Sequence, residues 1–377
     1  MNIIRHHKLF LFIAVWLNTA NLLDAAVQFN YPAHLGTLSS GFYFRSWSIQ
    51  EGDNYYRISQ AAFPLTTVSP ITNKINLLFA TSHSTALMNR NLEDGLQGIA
   101  DGKIKAFYQI IPNHLLLNGG ISIPFGKNRL STEEINVAEV LYESVLGFGV
   151  TRFGEGLDSE FGVSSAFRLT NTITIGAGLG FLNKGEYEFH KNSPITFKPG
   201  NEYSFSIGID LNSDSLFFRN DILYKSYSTD KLDSEPYLKQ GTQFEITSRM
   251  SYRIFPATIN FLVKHVYKSD NQFYGSLNYY LTDDLNFIDN STWLKMSIEY
   301  QKSSSLAFIA RFGVNRFGKS AIQWGDATIY SAGLGLQKKI SEYFMGRIES
   351  QVLEGSAQNN FIQLSGWDFS MTFILKI

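Results

Sequence analysis

The sequence predicts an all-β protein, a transmembrane antiparallel up-and-down β-barrel of about 14–18 strands, with a short helix in a long external loop. Three observations point there. Apolar residues recur at every second position through most of the chain. The alternating runs are near ten residues long, which suits a tilted membrane strand better than a soluble sheet. Short polar turns alternate with longer polar loops, as in barrels with short periplasmic turns and long external loops.

The strands justify this one by one. Phe161, Val163, Phe167 and Leu169 alternate with Glu160, Gly162, Ala166 and Arg168. Ile173, Ile175, Ala177, Leu179 and Phe181 alternate with Thr174, Gly176, Gly178 and Gly180. Tyr203, Phe205, Ile207, Ile209 and Leu211 alternate with Ser204, Ser206, Gly208 and Asp210. Leu306, Phe308, Ala310, Phe312 and Val314 form another row, with Arg311 on the opposite face. The last strand is apolar at Trp367, Phe369, Met371, Phe373, Leu375 and Ile377, as a closing strand should be. Asn212–Ser215, Ser303–Ser305 and Lys339–Glu342 read as short turns. Lys184–Asn201, Ser228–Gly241, Arg316–Ala327 and Leu353–Ser365 read as longer loops. Between Gln272 and Tyr300 the count is ambiguous, because Asp283–Asp284 and Asp289–Asn290 each resemble turns. With both termini in the periplasm the strand number is even.

Composition agrees. Charged residues are 17% of the chain, below the roughly 25% of soluble domains, and aromatic residues are 15%. The net charge of -1 gives no reason to expect a nucleic-acid partner. There is no cysteine, so disulfides, thiolate metal sites and cysteine nucleophiles are excluded. At the N-terminus Arg5 and Lys8 precede the apolar run Leu9–Leu17, and Ala25 and Ala26 offer a cut. Basic, apolar, small is the secretory order, and nine residues cannot cross a bilayer as a helix. The domain reading is therefore residues 1–26 as signal peptide, 27–40 as periplasmic lead-in or plug, and 41–377 as barrel.

The segment from Ile123 to Ser159 breaks the rhythm. Ser131 and Glu134 match a capping box, and Ile135, Ala138, Leu141 and Val145 follow at helical spacing. They predict a helix over Thr132–Glu143, either leaning into the barrel mouth or packing on other loops.

No motif for catalysis emerges, and no cofactor is expected. His6, His7, His34, His83, His114, His190 and His265 lack ligand-like spacing, so no metal site is expected either. His265 falls on the apolar row Ile259, Phe261, Val263 and Tyr267. The informative charges lie opposite apolar rows. If Phe218, Ile222 and Tyr224 face lipid, then Arg219, Asp221 and Lys225 line the lumen. On the next strand Glu245, Arg249 and Arg253 do so, opposite Phe244, Ile246, Met250, Tyr252 and Ile254. A Lys or Arg on the lipid face near mid-membrane costs roughly 2–4 kcal/mol, which selects this orientation. Pairing Lys225 with Glu245 sets Asp221 against Arg249 and puts the loop tip near Glu235–Pro236. A slip of two residues would instead set Arg219 against Arg249.

Ser122-Ile123-Pro124-Phe125-Gly126-Lys127 resembles the L-P-T-G-K strand end of outer-membrane transporters related to the long-chain fatty-acid channel and to the channels of phenol and aromatic-hydrocarbon degradation. Phe125 stands where that family has threonine. Thr132-Glu133-Glu134 and Phe153-Gly154-Glu155-Gly156 are similar to the same class. The resemblance spans Leu96–Phe189, about a quarter of the chain. It implies a passive, narrow channel for small hydrophobic or amphipathic molecules, embedded in bilayer and lipopolysaccharide, and no enzyme. The alternatives are a general or weakly selective porin and a non-transporting structural or surface barrel.

Overall fold

A computed structural model of the chain describes residues 36–377, apart from 91–92, 128, 189, 192–194, 275–279, 283–289 and 320–323. The expected signal peptide and the turn at Asp283–Asp284 lie outside the described residues, as does most of the lead-in segment.

The first strands are β1 (Thr37–Glu51), β2 (Asn54–Pro70), β3 (Ile75–Asn89), β4 (Glu93–Ile99), β5 (Gly102–Ile111) and β6 (Leu115–Ile123). Helix α1 (Thr132–Tyr142) follows. Next come β7 (Asp158–Arg168), β8 (Ile173–Asn183), β9 (Tyr187–Glu188), β10 (Thr196–Lys198), β11 (Glu202–Asn212) and β12 (Leu216–Tyr227). Then β13 (Thr229–Leu232), β14 (Glu235–Lys239), β15 (Gln243–Ile254), β16 (Ala257–Lys268), β17 (Gln272–Tyr274) and β18 (Tyr280–Thr282). Last are β19 (Ser291–Ser303), β20 (Leu306–Phe317), β21 (Ala327–Lys339), β22 (Phe344–Ala357) and β23 (Ile362–Lys376).

Each long strand pairs antiparallel with its neighbour, and β1 pairs with β23 from Thr37↔Lys376 to Glu51↔Ile362. The sheet therefore closes. Gly36 and Ile377 exchange backbone hydrogen bonds of 2.8 Å in both directions, which seals the seam. The result is a closed antiparallel barrel of 16 strands, inside the expected range and even in number. Strand β1 begins at Thr37 rather than Gly41.

The pleat sorts the side chains. Phe161, Leu179, Phe205, Ile207, Phe261, Leu294, Phe312 and Val352 are exposed on the outer wall. The residues between them, such as Ser204, Ser206, Arg219 and Lys225, are buried inside. An apolar outer face around a closed barrel leaves no backbone group unpaired in lipid, which is the architecture of bacterial outer-membrane proteins. This chain is an outer-membrane β-barrel. Among the described residues no helix is long and apolar enough to cross a membrane.

Turns at 71–74, 213–215, 304–305 and 340–343 lie at the end that holds both termini. The long loops lie at the other, external end. Three of them together form a small second sheet, in the order β18-β17-β14-β13-β10-β9, that crowns the mouth. Two readings from sequence need correction here. Leu353–Ser365 is not a long loop, because β22 and β23 continue through it to a tight turn where Gln358, Asn359 and Asn360 all adopt positive φ. The polar composition that suggested a loop belongs to strands rising beyond the membrane. The tip after β12 is at Asp233–Ser234, both at positive φ, rather than at Glu235–Pro236.

The wall is irregular at one place. Strand β3 pairs with β4 along His83–Asn89 and with β5 along Ile75–Ala80. The chain bulges between them at Ala100–Asp101. Strand β6 pairs with β5 and β7 and not with β4, so among the described residues the second edge of β4 meets no strand. The segment 124–157 fills the interior beside this point.

Candidate functional site: the lumen and its inward loop

The loop between β6 and β7 folds into the barrel. Its helix starts as the sequence predicts. Ser131 accepts from the Glu134 amide, and the Glu134 carboxylate accepts from the Ser131 amide at 3.0 Å. Lys127 reaches the same carboxylate. Burial raises the Glu134 pKa, but Lys127 and the Ser131 amide outweigh it, and the group sits below the usual carboxylate range.

The apolar side of the helix and the chain after it form the centre of a hydrophobic cluster. Val137, Leu141, Val145, Leu146, Phe148, Val150 and Phe153 are buried there. Their counterparts are inward residues of the wall, among them Trp47, Ile49, Tyr56, Ile58, Met88, Ile329, Leu353, Ile362 and Leu364. The deepest helical pair is Val137 and Leu141, where the expected stripe had Ala138 and Leu141. The loop leans on the inner wall, not on other loops alone.

Polar contacts pin it. The Trp47 indole donates to the Leu146 carbonyl at 2.9 Å. The Gln60 amide donates to the Val150 carbonyl and accepts from the Val150 amide, at 2.5 and 3.0 Å. Arg45 donates to the carbonyls of Leu146 and Gly147 and pairs with Asp368 at 2.6 Å. At the external side the Trp324 amide donates to Glu143 at 2.9 Å.

The residues that carry the family resemblance form the neck of this loop. Its two legs touch where a Cβ on Gly126 would collide with the Phe153 carbonyl, so only glycine fits. The Asp101 carboxylate, at the bulge between β4 and β5, accepts from both legs: from Gly126 at 3.0 Å and from Glu155 at 2.7 Å.

The rest of the interior is ionic. Arg219 pairs with Asp221 at 2.6 Å and approaches Asp210 at 3.7 Å. Lys225 pairs with Glu202 at 2.8 Å, Lys264 with Glu245 at 2.9 Å, and Lys105 with Glu160 at 2.6 Å. Arg311 and Arg347 share Glu349, at 3.0 and 2.7 Å. The inward glycines Gly333 and Gly335 accommodate the neighbouring Gln351 and Glu349 side chains instead of leaving free space.

The seven charges singled out in the sequence therefore all lie on the face opposite the outer apolar rows, but they do not all meet. Arg219, Asp221, Lys225, Glu245 and Arg249 share one wall, Arg311 lies on another, and Arg253 is exposed at the turn end of β15. The predicted register is wrong. Lys225 faces Gln243, Glu245 faces Leu223, and Arg219 faces Arg249, which is the slipped arrangement. The charges find partners elsewhere: Lys225 on β11, Glu245 on β16, and Arg219 on β11 and its own strand. A barrel strand has two neighbours, and the argument from one pair ignored the other.

Sequence reasoning missed Arg45, Trp47, Gln60 and Asp101. The available signal was the apolar row that β1 and β2 turn inward, Trp47, Ile49, Tyr56 and Ile58. A strand apolar toward a lumen needs something apolar inside it.

No protein-family model matches this chain, and no curated protein matches it. Solved structures do resemble it. The CymD monoaromatic hydrocarbon channel shares 11% identity, with 91% of this chain and 89% of that one covered and a TM-score of 0.45. The outer membrane protein OpdK from Pseudomonas aeruginosa shares 8%, covering 90% and 99%, at 0.43. An outer membrane channel from Pseudomonas putida F1 shares 8%, covering 92% and 97%, at 0.40. The likeness is one of barrel architecture and no more. Among the described residues no group of His, Asp and Glu could hold a metal ion.

Proposed function

We propose that this barrel is a passive channel for small molecules, whose route is set by the inward loop. The observation that carries this reading is the double fastening of residues 124–157, at the neck by Asp101 and in the lumen by Arg45, Trp47 and Gln60. A general porin keeps an aqueous lumen, whereas here a hydrophobic cluster occupies one side of the interior and an ion-paired wall forms the other. A passage between an apolar surface and a polar one suits small amphipathic or hydrophobic solutes. Of the charges singled out in the sequence, Arg219, Asp221, Lys225, Glu245, Arg249 and Arg311 would then act on the solute's polar end.

The test is conductance in planar bilayers together with solute flux into liposomes. The wild type should conduct ions weakly while passing a small aromatic or fatty acid down its gradient. Large steady ion currents in the wild type would favour a general porin. No flux of any such solute would remove the channel reading.

A further inference from the structure

The structure assigns an oxyanion-binding site to the external rim of the lumen, built on Lys184, Lys225 and Lys268 around Tyr227. Strand register brings these residues together. Lys225, Gln243 and Lys268 are directly opposite one another on three successive strands, β12, β15 and β16. The two lysines are thus two strand spacings apart, about 10 Å at the backbone, and Lys225 also reaches Glu202 at 2.8 Å. Tyr227 lies two residues beyond Lys225 on the same face, and its hydroxyl donates to Gln243 at 3.3 Å. Lys184, just past β8, completes the arc. Its ammonium is 5.9 Å from the centre of the Tyr227 ring, and that of Lys268 is 5.8 Å from it.

The carboxylates nearby are each engaged by another group, Asp158 by the Gly185 amide at 2.8 Å. Glu202 is taken by Lys225, Glu245 by Lys264, and Glu155 by Arg152. Asp230 is occupied by the Gly200 amide and by Gln240. Among the described residues no carboxylate lies within ion-pair distance of Lys184 or Lys268. Both ammonium groups lie over the aromatic ring of Tyr227. Lys268 is 9% exposed and Lys225 5% exposed. Burying like charges side by side is costly unless an anion joins them. A carboxylate or phosphate oxygen seated among these ammonium groups would receive charge-assisted hydrogen bonds, and Gln243 offers a further donor. The inference rests on the channel reading only for what the site does to a solute in transit. Binding itself does not depend on it.

The test uses the full barrel purified in detergent, with 4-fluorobenzoate and inorganic phosphate as probes. Binding is read by fluorine and phosphorus NMR line broadening, so conductance plays no part. Wild-type barrel should bind at least one probe. The double variant Lys184→Gln/Lys268→Gln should weaken binding about tenfold or more, while Lys302→Gln, at the opposite end, should leave it unchanged. Unchanged heat-modifiable migration and circular dichroism establish that the variants are folded. Failure of both probes to bind the wild type overturns the inference, and so does equal affinity in the folded double variant. A barrel that binds but passes no solute would sink the channel reading and keep this site, and a barrel that passes solute but does not bind would do the reverse.

Discussion

Arg219 facing Arg249 illustrates how charge behaves at single positions inside this barrel. The like-charged pair is tolerated because Asp221 and Asp210 both reach the Arg219 guanidinium. Replacing Asp221 with Asn should therefore cost more than its own bond, since it exposes the Arg219–Arg249 repulsion. A loss of about 3–5 kcal/mol is expected for breaking a buried pair on one side, measured by urea unfolding in lipid vesicles. The double variant Asp221→Asn/Arg249→Gln should recover part of it. Asp230, in the crown, behaves differently. Burial pushes its carboxyl above the usual range, although the Gly200 amide and Gln240 pull the other way. Its folded pKa thus exceeds the unfolded one. This group favours the fold most below the unfolded carboxylate value, about 3.9, and that contribution is lost as pH rises through the raised pKa. Asp230→Asn keeps an acceptor for Gly200 and removes the charge. The crown of the variant should resist protease better than wild type at pH 8, with the gap closing toward pH 4 when rates are normalised to an unfolded substrate.

At the scale of elements, the inward loop is held by a few hydrogen bonds at its tip and by one aspartate at its neck. Each such bond contributes about 0.5–1.5 kcal/mol net, so removing two or three shifts the balance between seated and released loop by about tenfold or more. Arg45→Ala combined with Gln60→Ala should raise ion conductance and its noise while leaving the barrel folded. Asp101→Ala should do so as well, because both legs of the neck lose their shared acceptor. Leu141→Ala leaves a cavity under the helix, for which about 2–5 kcal/mol is typical, and should release the loop without touching any polar contact. If conductance stays at the wild-type level in all three, the loop does not set the route.

For the whole molecule, the outer face must be apolar at every height of the membrane band. Ile207→Arg and Phe261→Arg should each destabilise the barrel by about 2–4 kcal/mol if near the bilayer midplane, measured by urea unfolding in vesicles. Ser206→Arg, one step along the same strand but inward, should cost less in hydrocarbon transfer and act by crowding Gly178.

How much of this was legible follows from the range of the forces involved. The alternation of Tyr203, Phe205, Ile207 and Ile209 with polar residues is local, set by the two-residue pleat, and any outer-membrane strand must obey it. The sequence alone therefore settled the barrel and the helix start at Ser131, whose capping box needs only three residues of chain. The pairing of strands was not local. Lys225 could choose between Glu202 on one side and Glu245 on the other, and only ring closure decided for Glu202. Nor could spacing along the chain show that residues 124–157 enter the lumen. That depends on Trp47, Gln60, Asp101 and Asp368, scattered over more than three hundred residues and brought to one place only when β1 closes on β23.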